Sequence, residues 1–298
     1  MIAFGASITM PDVYARCAGP GIALAAEPGS PVFAHAAAGS IARSYNLVLD
    51  GAARLDGLEA LVLVHQDLEL RDRRLGEKLR RVLADPEVGV VGCVGSTGAA
   101  GIAWWDGAVT WGSTVYRHGE LGGSERAWGA CEPPPPPEGR AVDALYGVLL
   151  ALSPWAVREL RFDEALGPRH GYDFELCRQV RAAGRKVVVA GLDVVHHHSL
   201  DLVADPDLWA EAHERAAAKW DRPMPVDPGD DAWRARARHA EADAGAARLL
   251  LASRQLQSDA AARRDAEELA TVTATASWRV TAPLRGLNAR RRARRDAG

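Results

Sequence analysis

The residues best suited to chemistry in this sequence are His65, Gln66 and Asp67, which directly follow a short apolar run, Leu61–Val64. The run predicts a buried strand, and in open α/β sheets ligands bind at the carboxyl ends of the strands. A carboxylate there can hold a hard divalent cation, which can neutralise a departing pyrophosphate. The alternative is structural: Asp67 caps the next turn and His65 packs against its neighbours.

A second candidate, Asp173, lies near the start of a helix that the spacing of Tyr172, Leu176 and Val180 predicts. The N-terminus of a helix stabilises a carboxylate, so an ionised Asp173 could accept a proton from an incoming hydroxyl group. Asp173 can equally be a helix-terminal charge without a chemical role.

Three consecutive histidines follow a further predicted strand. Side chains alternate along a strand, so His196 and His198 point one way and His197 the other, and at most two share a site. His196 could complete a metal shell with Asp67. It could also donate a hydrogen bond to a phosphate or belong to the core, and these alternatives stay open.

Tryptophan is concentrated in the Gly-rich segment 95–140, where Trp104 and Trp105 are adjacent. Tryptophan suits both core packing under a long loop and a platform on which a sugar or acceptor stacks. The proline run Pro133–Pro137 predicts an exposed polyproline spacer, since proline fits neither a helix interior nor a central strand.

Short apolar runs alternate with helical patterns along the chain. The runs that predict buried strands are Ile22–Ala25, Leu61–Val64, Val88–Val94, Val148–Leu152, Lys186–Ala190 and Val194–Val195. Helical spacing follows a Ser40 cap and recurs around Leu79 and Leu176. The alternation predicts an α/β fold, with helices on both faces of a mostly parallel central sheet.

A cluster of prolines and a glycine predicts a linker at 223–231. It would separate a main domain, 1–222, from a helical extension, 232–298, in which Ala, Arg and Glu dominate. The arginine-rich end, Arg290–Arg295, is either a solvated tail or a contact for an anionic membrane or a partner.

The overall composition is that of a globular protein, with 48% apolar residues, 25% charged residues and a net charge of -3. These values exclude a fibrous or wholly disordered chain and give no reason to expect a nucleic-acid partner. The four cysteines show no CxxC spacing, which argues against a zinc ribbon or a disulfide framework. Because neither a secretory signal nor a long apolar segment is visible, we expect a cytoplasmic protein, with peripheral membrane contact as an open alternative.

The order of these motifs resembles that of the family 2-like glycosyltransferases with a GT-A fold, especially a branch that includes a streptomycin-biosynthesis protein and many polysaccharide-locus enzymes. The resemblance covers residues 1–220. The segments that carry it are Ser44–Asn46, His65–Asp67, Val142–Gly147, Phe162–Glu164, the helix start at Tyr172 and the strand that ends in His196.

The resemblance implies inverting transfer of a sugar from a nucleotide-diphosphate donor to a hydroxyl group of a glycan or lipid-linked acceptor, with Mn²⁺ or Mg²⁺. Asp67 matches the acid on the metal side, Asp173 the catalytic base, and His196 the histidine after the last core strand and a second candidate metal ligand. The residues expected on the donor side are His65, Gln66, Asp67, Glu27 and Asn46. The residues expected on the acceptor side are Trp104, Trp105, Asp143 and Tyr172.

Three features depart from the family pattern, one of which is Tyr172 at the helix start, where the family usually has a glutamate. The acidic motif has one carboxylate, Asp67, where the family usually has two, although Glu69 is close in sequence. Glu27 is the nearest substitute for the aspartate that usually holds the nucleotide base. These departures keep two other interpretations open: a degenerate module that binds nucleotide sugar or glycan without turnover, and an assembly scaffold that self-associates through its C-terminal extension.

Overall fold

The computed structural model of this chain describes residues 1–36, 38–117, 125–127, 135–197, 206–220 and 231–282. The strands are β1 (Ile2–Ile8), β2 (Val32–Ala36), β3 (Ala60–Val64), β4 (Leu68–Leu70), β5 (Val88–Gly92), β6 (Val94–Thr97), β7 (Val109–Gly112), β8 (Thr114–Arg117), β9 (Glu125–Ala127), β10 (Arg140–Val142), β11 (Ala144–Leu145), β12 (Leu149–Leu152), β13 (Lys186–Val189) and β14 (Val194–His197). The helices are α1 (Pro11–Arg16), α2 (Ala18–Ala25), α3 (Ile41–Ala52), α4 (Leu75–Leu83), α5 (Pro154–Glu159), α6 (Tyr172–Ala182), α7 (Pro206–Trp220), α8 (Asp231–Ala274) and α9 (Ala276–Val280).

A seven-stranded sheet organises the fold, in the order β10-β13-β5-β12-β3-β1-β2. Strand β1 is parallel to β2 and β3, and β5 is parallel to β13, whereas β12 is antiparallel to both neighbours and β10 to β13. Strand β3 is apolar and buried at every position, the pattern of a strand covered on both faces. The predicted α/β class with a mostly parallel sheet is confirmed.

Several predicted elements are present as expected. The Ser40 hydroxyl accepts a hydrogen bond from the Arg43 amide (3.1 Å), and α3 follows directly, so the predicted cap is confirmed. The helical patterns around Leu79 and Leu176 form α4 and α6. Helix α4 has one buried face, whereas α6 is buried on all sides over residues 172–177.

The prediction of a strand at Ile22–Ala25 was wrong, because these residues belong to α2. A four-residue apolar run does not distinguish a buried helical turn from a strand, and packing decides between them. A Cβ at Gly21 would lie 2.5 Å from the Leu70 amide nitrogen, so the glycine allows α2 to pack directly on β4. The sequence patterns also did not predict β1, which pairs with β3.

A second sheet, in the order β4-β14-β8-β9, brings the two candidate metal-binding segments together. Strand β4 begins directly after Asp67, and β14 contains His196. The two strands are antiparallel with His196 opposite Leu68, and the His197 amide donates to the Asp67 carbonyl (2.9 Å). This pairing, rather than any local pattern, determines which histidine meets Asp67.

The chain divides into two compact units, Met1–Leu250 and Leu251–Gly298. Helices α8 and α9 confirm the predicted helical character of the C-terminal region. The predicted linker at 223–231 lies outside the described residues apart from Asp231, where α8 begins, so the predicted three-part division stays a prediction. Pro133 and Pro134 of the proline run and the arginines of 290–295 also lie outside the described residues.

Within the described parts of the chain, no helix combines the length and apolarity needed to cross a membrane.

Candidate active site

Asp67 lies beyond the carboxyl end of β3 and is only 4% exposed. Its Oδ1 atom contacts His65 Nδ1 and lies 3.2 Å from His196 Nε2. Burial alone would raise the pKa of Asp67, but the two imidazoles outweigh burial and hold the pKa well below its ordinary range. Burial alone would lower the pKa of His65, and the Asp67 carboxylate reverses that shift and raises it. Asp67 is therefore an ionised carboxylate with an imidazole nitrogen on either side.

The ligand atoms of His65, Asp67 and His196 all lie within 4.8 Å of one another. One ion could therefore contact two imidazole nitrogens and a carboxylate oxygen. Magnesium is held mainly by oxygen ligands, whereas first-row transition ions accept nitrogen and oxygen together. Of the two predicted cations, Mn²⁺ fits this set of residues better than Mg²⁺.

His197 lies on the opposite side of β14 from His196, as strand alternation predicts. Its Nε2 atom lies 3.1 Å from Glu69 Oε2, and the imidazole is almost fully buried. Glu69 is thus engaged by His197, and neither residue belongs to the group around Asp67. His198 lies outside the described residues.

Asp173 lies in the first turn of α6, and its carboxylate is held by backbone amides. Gly147 N–H donates to one oxygen (2.8 Å) and Phe174 N–H to the other (2.9 Å). Burial raises the pKa of Asp173 to about 6, against the opposing effect of these donors. A carboxylate with such a pKa is ionised at neutral pH and can still take up a proton, which suits a general base.

The dipeptide Tyr146-Gly147 connects these two parts of the site. The Tyr146 hydroxyl lies 3.3 Å from His196 Nδ1, while the Gly147 amide donates to Asp173. The Gly147 carbonyl accepts a hydrogen bond from the Tyr172 hydroxyl (2.9 Å). Both residues fall within the segment Val142–Gly147 that carried the family resemblance. The sequence did not indicate that their contacts connect the group around Asp67 to Asp173.

Tyr45 is a further residue that sequence reasoning missed, although it lies in the quoted segment Ser44–Asn46. Its ring is fully buried, with its centroid 5.8 Å from that of Tyr172. Its hydroxyl has no hydrogen-bond partner among the residues that the structure describes. Burial raises the pKa of Tyr45, and the charges of Asp67 and Asp173 raise it further.

Gln66 and Asn46, predicted on the donor side, both use their side chains to hold backbone. The Gln66 amide oxygen accepts from the backbone N–H groups of Thr9 and Met10 (both 2.8 Å), beyond the end of β1. Asn46 accepts from Phe162 N–H (2.8 Å) and donates to Phe162 O (3.0 Å). Gln66 therefore borders the site, and Asn46 fixes the turn that precedes α6.

The structure does not bring Glu27 to this site. Arg80 binds the Glu27 carboxylate through both terminal nitrogens (2.6 and 2.7 Å) and also pairs with Glu59. Glu59 directly precedes β3 and pairs with the amino group of Met1, so this network lies at the amino ends of β1 and β3. Asp67 lies at the opposite edge of the sheet.

The residues predicted on the acceptor side are largely structural in their contacts. Trp104 is buried and stacks on Tyr146, with ring centroids 5.0 Å apart, and Trp105 packs edge-on against Trp104. Asp143 accepts from Gly98 N–H (2.6 Å) and pairs with Arg181 (2.9 Å). Like Trp104, Tyr172 is a core residue. Trp104 and Tyr172 thus contact the site indirectly: Trp104 packs on Tyr146, and Tyr172 is hydrogen-bonded to Gly147.

A mostly parallel α/β sheet with a buried carboxylate, Asp67, beyond the carboxyl end of a central strand is an arrangement in which open α/β folds bind a ligand. The sequence model described as "Glycosyltransferase like family" matches residues 14–218. The chain belongs to this family, so the resemblance drawn from the order of the motifs is confirmed and the enzyme class is glycosyltransferase.

Similar proteins include the streptomycin biosynthesis protein StrF of Streptomyces griseus, which is 32% identical over 206 residues, or 67% of each chain. Among solved structures, the mannosyltransferase PcManGT from Pyrobaculum calidifontis, in complex with GDP-Man and Mn²⁺, is 16% identical, with a TM-score of 0.47 over 94% of this chain and 82% of that one. GalNAc-T7, with UDP, GalNAc and Mn²⁺, is 12% identical, with a TM-score of 0.44 over 80% of this chain and 54% of that one.

Proposed function

We propose that this chain is a GT-A type, inverting glycosyltransferase that moves a sugar from a nucleotide-diphosphate donor to a hydroxyl group, with a divalent cation bound by His65, Asp67 and His196. The single observation that carries the proposal is the arrangement of two buried aspartates about one dipeptide. Asp67 lies in a group of potential metal ligands, and Asp173 is hydrogen-bonded to Gly147, the neighbour of Tyr146, which contacts that group.

On the donor side, Asp67 supplies a negative charge that its histidine neighbours keep ionised. A cation bound there would neutralise the negative charge that builds up on the departing nucleotide diphosphate. Gln66 holds the segment after β1 against this side of the site. His65 is about one-third exposed, so it is the member of the group that a donor can approach.

On the acceptor side, Asp173 removes the proton from the attacking hydroxyl. The acceptor oxygen forms a bond to the anomeric carbon while the bond from that carbon to the diphosphate oxygen breaks, and the electron pair leaves with the diphosphate. The Gly147 and Phe174 amides orient the carboxylate for this task. One base and one displacement give inversion at the anomeric carbon.

The acceptor in this proposal is a glycan or a lipid-linked carrier in polysaccharide or glycoconjugate biosynthesis, and the enzyme works in the cytoplasm or at a membrane surface. The relative StrF supports a biosynthetic role, since its name places it in the biosynthesis of streptomycin. The second candidate is a module that binds the donor without turnover. Asp67 favours that candidate, because it is the one carboxylate of the group.

Calorimetric titration of the full chain with UDP, GDP and dTDP, each with and without Mn²⁺, tests the proposal. We expect Mn²⁺-dependent binding of one nucleotide, lost in Asp67→Asn and kept in Asp173→Asn. With the donor identified, Asp173→Asn should lose transfer, and Glu27→Gln should keep both binding and transfer. Binding without turnover by the wild type would support the binding module, and transfer by Asp173→Asn at the wild-type rate would contradict the assigned base.

A further inference from the structure

His196 has a defined neighbour at each ring nitrogen. Nε2 lies 3.2 Å from Asp67 Oδ1, and Nδ1 lies 3.3 Å from the Tyr146 hydroxyl. The ring planes of His196 and Tyr146 are at 75°, with centroids 5.5 Å apart, so the hydroxyl approaches the edge of the imidazole where Nδ1 lies. Contacts at both nitrogens make the protonation pattern of the imidazole depend on what each neighbour donates or accepts.

Tyr146 is itself fixed on several sides. Its ring stacks on Trp104 at an interplanar angle of 29°, and its backbone amide donates to the Val94 carbonyl (2.9 Å). These contacts fix the ring of Tyr146, so that its hydroxyl lies beside His196 Nδ1, where a hydrogen-bond partner can orient a metal-ligating histidine.

A neutral imidazole carries one N–H, and a cation can bind only the nitrogen that lacks it. With Nε2–H donating to Asp67, Nδ1 must accept, and the Tyr146 hydroxyl can donate to it. With a cation on Nε2, the proton must lie on Nδ1, and the same hydroxyl can accept it. A hydroxyl group beside Nδ1 can serve both tautomers, because it can donate or accept. A carboxylate there could only accept and an ammonium group could only donate, so each would favour one tautomer.

We propose that Tyr146 is a positioning residue that stabilises the Nδ1–H form of His196 and so prepares Nε2 to bind the divalent cation. The inference rests on the proposed function, because it takes the group around Asp67 to be a cation site. Tyr146 acts through His196 and makes no contact of its own with the cation. Within the neutral imidazole, one proton leaves Nε2 and one is taken up at Nδ1, with no net change.

The first test is the Mn²⁺ affinity of the full chain, measured from the electron paramagnetic resonance signal of free Mn²⁺. Tyr146→Phe should weaken binding roughly 10- to 100-fold, the usual effect of removing the hydrogen-bond partner of a ligating histidine. Tyr172→Phe is the matched control, because it removes a hydroxyl that bonds to the adjacent Gly147 carbonyl. It should leave Mn²⁺ affinity within about twofold of wild type, since its hydroxyl does not contact a residue of the cation group.

The second test observes the tautomer itself, by nitrogen NMR of protein labelled with ¹⁵N-histidine. The His196 signals are identified by their loss in His196→Gln. Adding diamagnetic Zn²⁺ should convert wild-type His196 from the Nε2–H to the Nδ1–H form, and Tyr146→Phe should need a higher Zn²⁺ concentration for the same conversion.

Wild-type Mn²⁺ affinity in Tyr146→Phe would overturn the inference and leave the proposed function intact, provided that Asp67→Asn still abolishes binding. Equal weakening by Tyr146→Phe and Tyr172→Phe would also overturn it, because the effect would then come from packing. If the wild type binds no Mn²⁺ with any nucleotide, the cation site itself is wrong and the proposed function fails with it.

Discussion

Replacing Asp173 with asparagine should change the free energy of unfolding, relative to the wild type, increasingly in favour of the variant as the pH rises. The carboxyl group is buried, and burial raises its pKa from 3.8 to about 6. The folded protein therefore binds this proton more tightly than the unfolded chain does. Asparagine has nearly the same shape and stays neutral at every pH, but its NH2 group cannot accept from one of the two backbone amides that bind the carboxylate. That loss does not change with pH, so the pH dependence of the difference between the two proteins isolates the charge.

The sign and the size follow from linkage. A raised carboxyl pKa contributes stability that is fully present below the unfolded value and is lost as the pH rises through the folded value. A change from 3.8 to about 6 corresponds to about 3 kcal/mol in the free energy of unfolding. About 2 kcal/mol of that falls between roughly pH 4.5 and 7.5, the convenient range for measurement.

The assay is urea denaturation of both proteins across this range, in the presence of EDTA so that no cation contributes. The free energy of unfolding of Asp173→Asn minus that of the wild type should rise steadily with pH. A constant difference for Asp173→Asn, or one that falls with pH, would refute the reasoning, and the carboxyl ¹³C signal of Asp173 would locate the actual pKa.

Two further predictions concern the support of the site. Glu175 is fully buried and pairs with Lys219 (2.8 Å), so Lys219→Met should lower the free energy of unfolding by about 2 kcal/mol, less than for a fully buried pair because the lysine is partly exposed. Lys219→Met combined with Glu175→Gln should restore most of that loss in urea denaturation, and a double variant less stable than the single one would contradict this. A Cβ at Gly147 would collide with the Tyr172 hydroxyl, so Gly147→Ala should lower kcat by about 100-fold through a displaced base and leave Mn²⁺ affinity unchanged. Gly191→Ala is the control, since the nearest atom to its new Cβ is 4.0 Å away, and equal kcat values for the two variants would be the contrary result.

The sequence predicted the fold where local physics is sufficient. Ser40 followed by helical periodicity predicted α3, and the apolar run Leu61–Val64 before His65 predicted a buried strand with a polar end. It failed at Ile22–Ala25, where a short apolar run is compatible with both states and the contact of Gly21 with β4 decides for a helix. Glu27 illustrates the same limit, because nothing local indicated that Arg80 would hold it at the other edge of the sheet.

Residue types and periodicity by themselves determined that His65 and Asp67 end a buried strand, that Asp173 begins a helix, and that neighbouring histidines of one strand face opposite ways. Only the tertiary structure decided that His196 meets Asp67, through the pairing of β14 with β4, and that Gly147 binds Asp173. The first set depends on backbone geometry over a few residues, which the sequence encodes locally. The second depends on strand register and burial, which arise from packing between segments far apart in the chain and also set the pKa values of both aspartates.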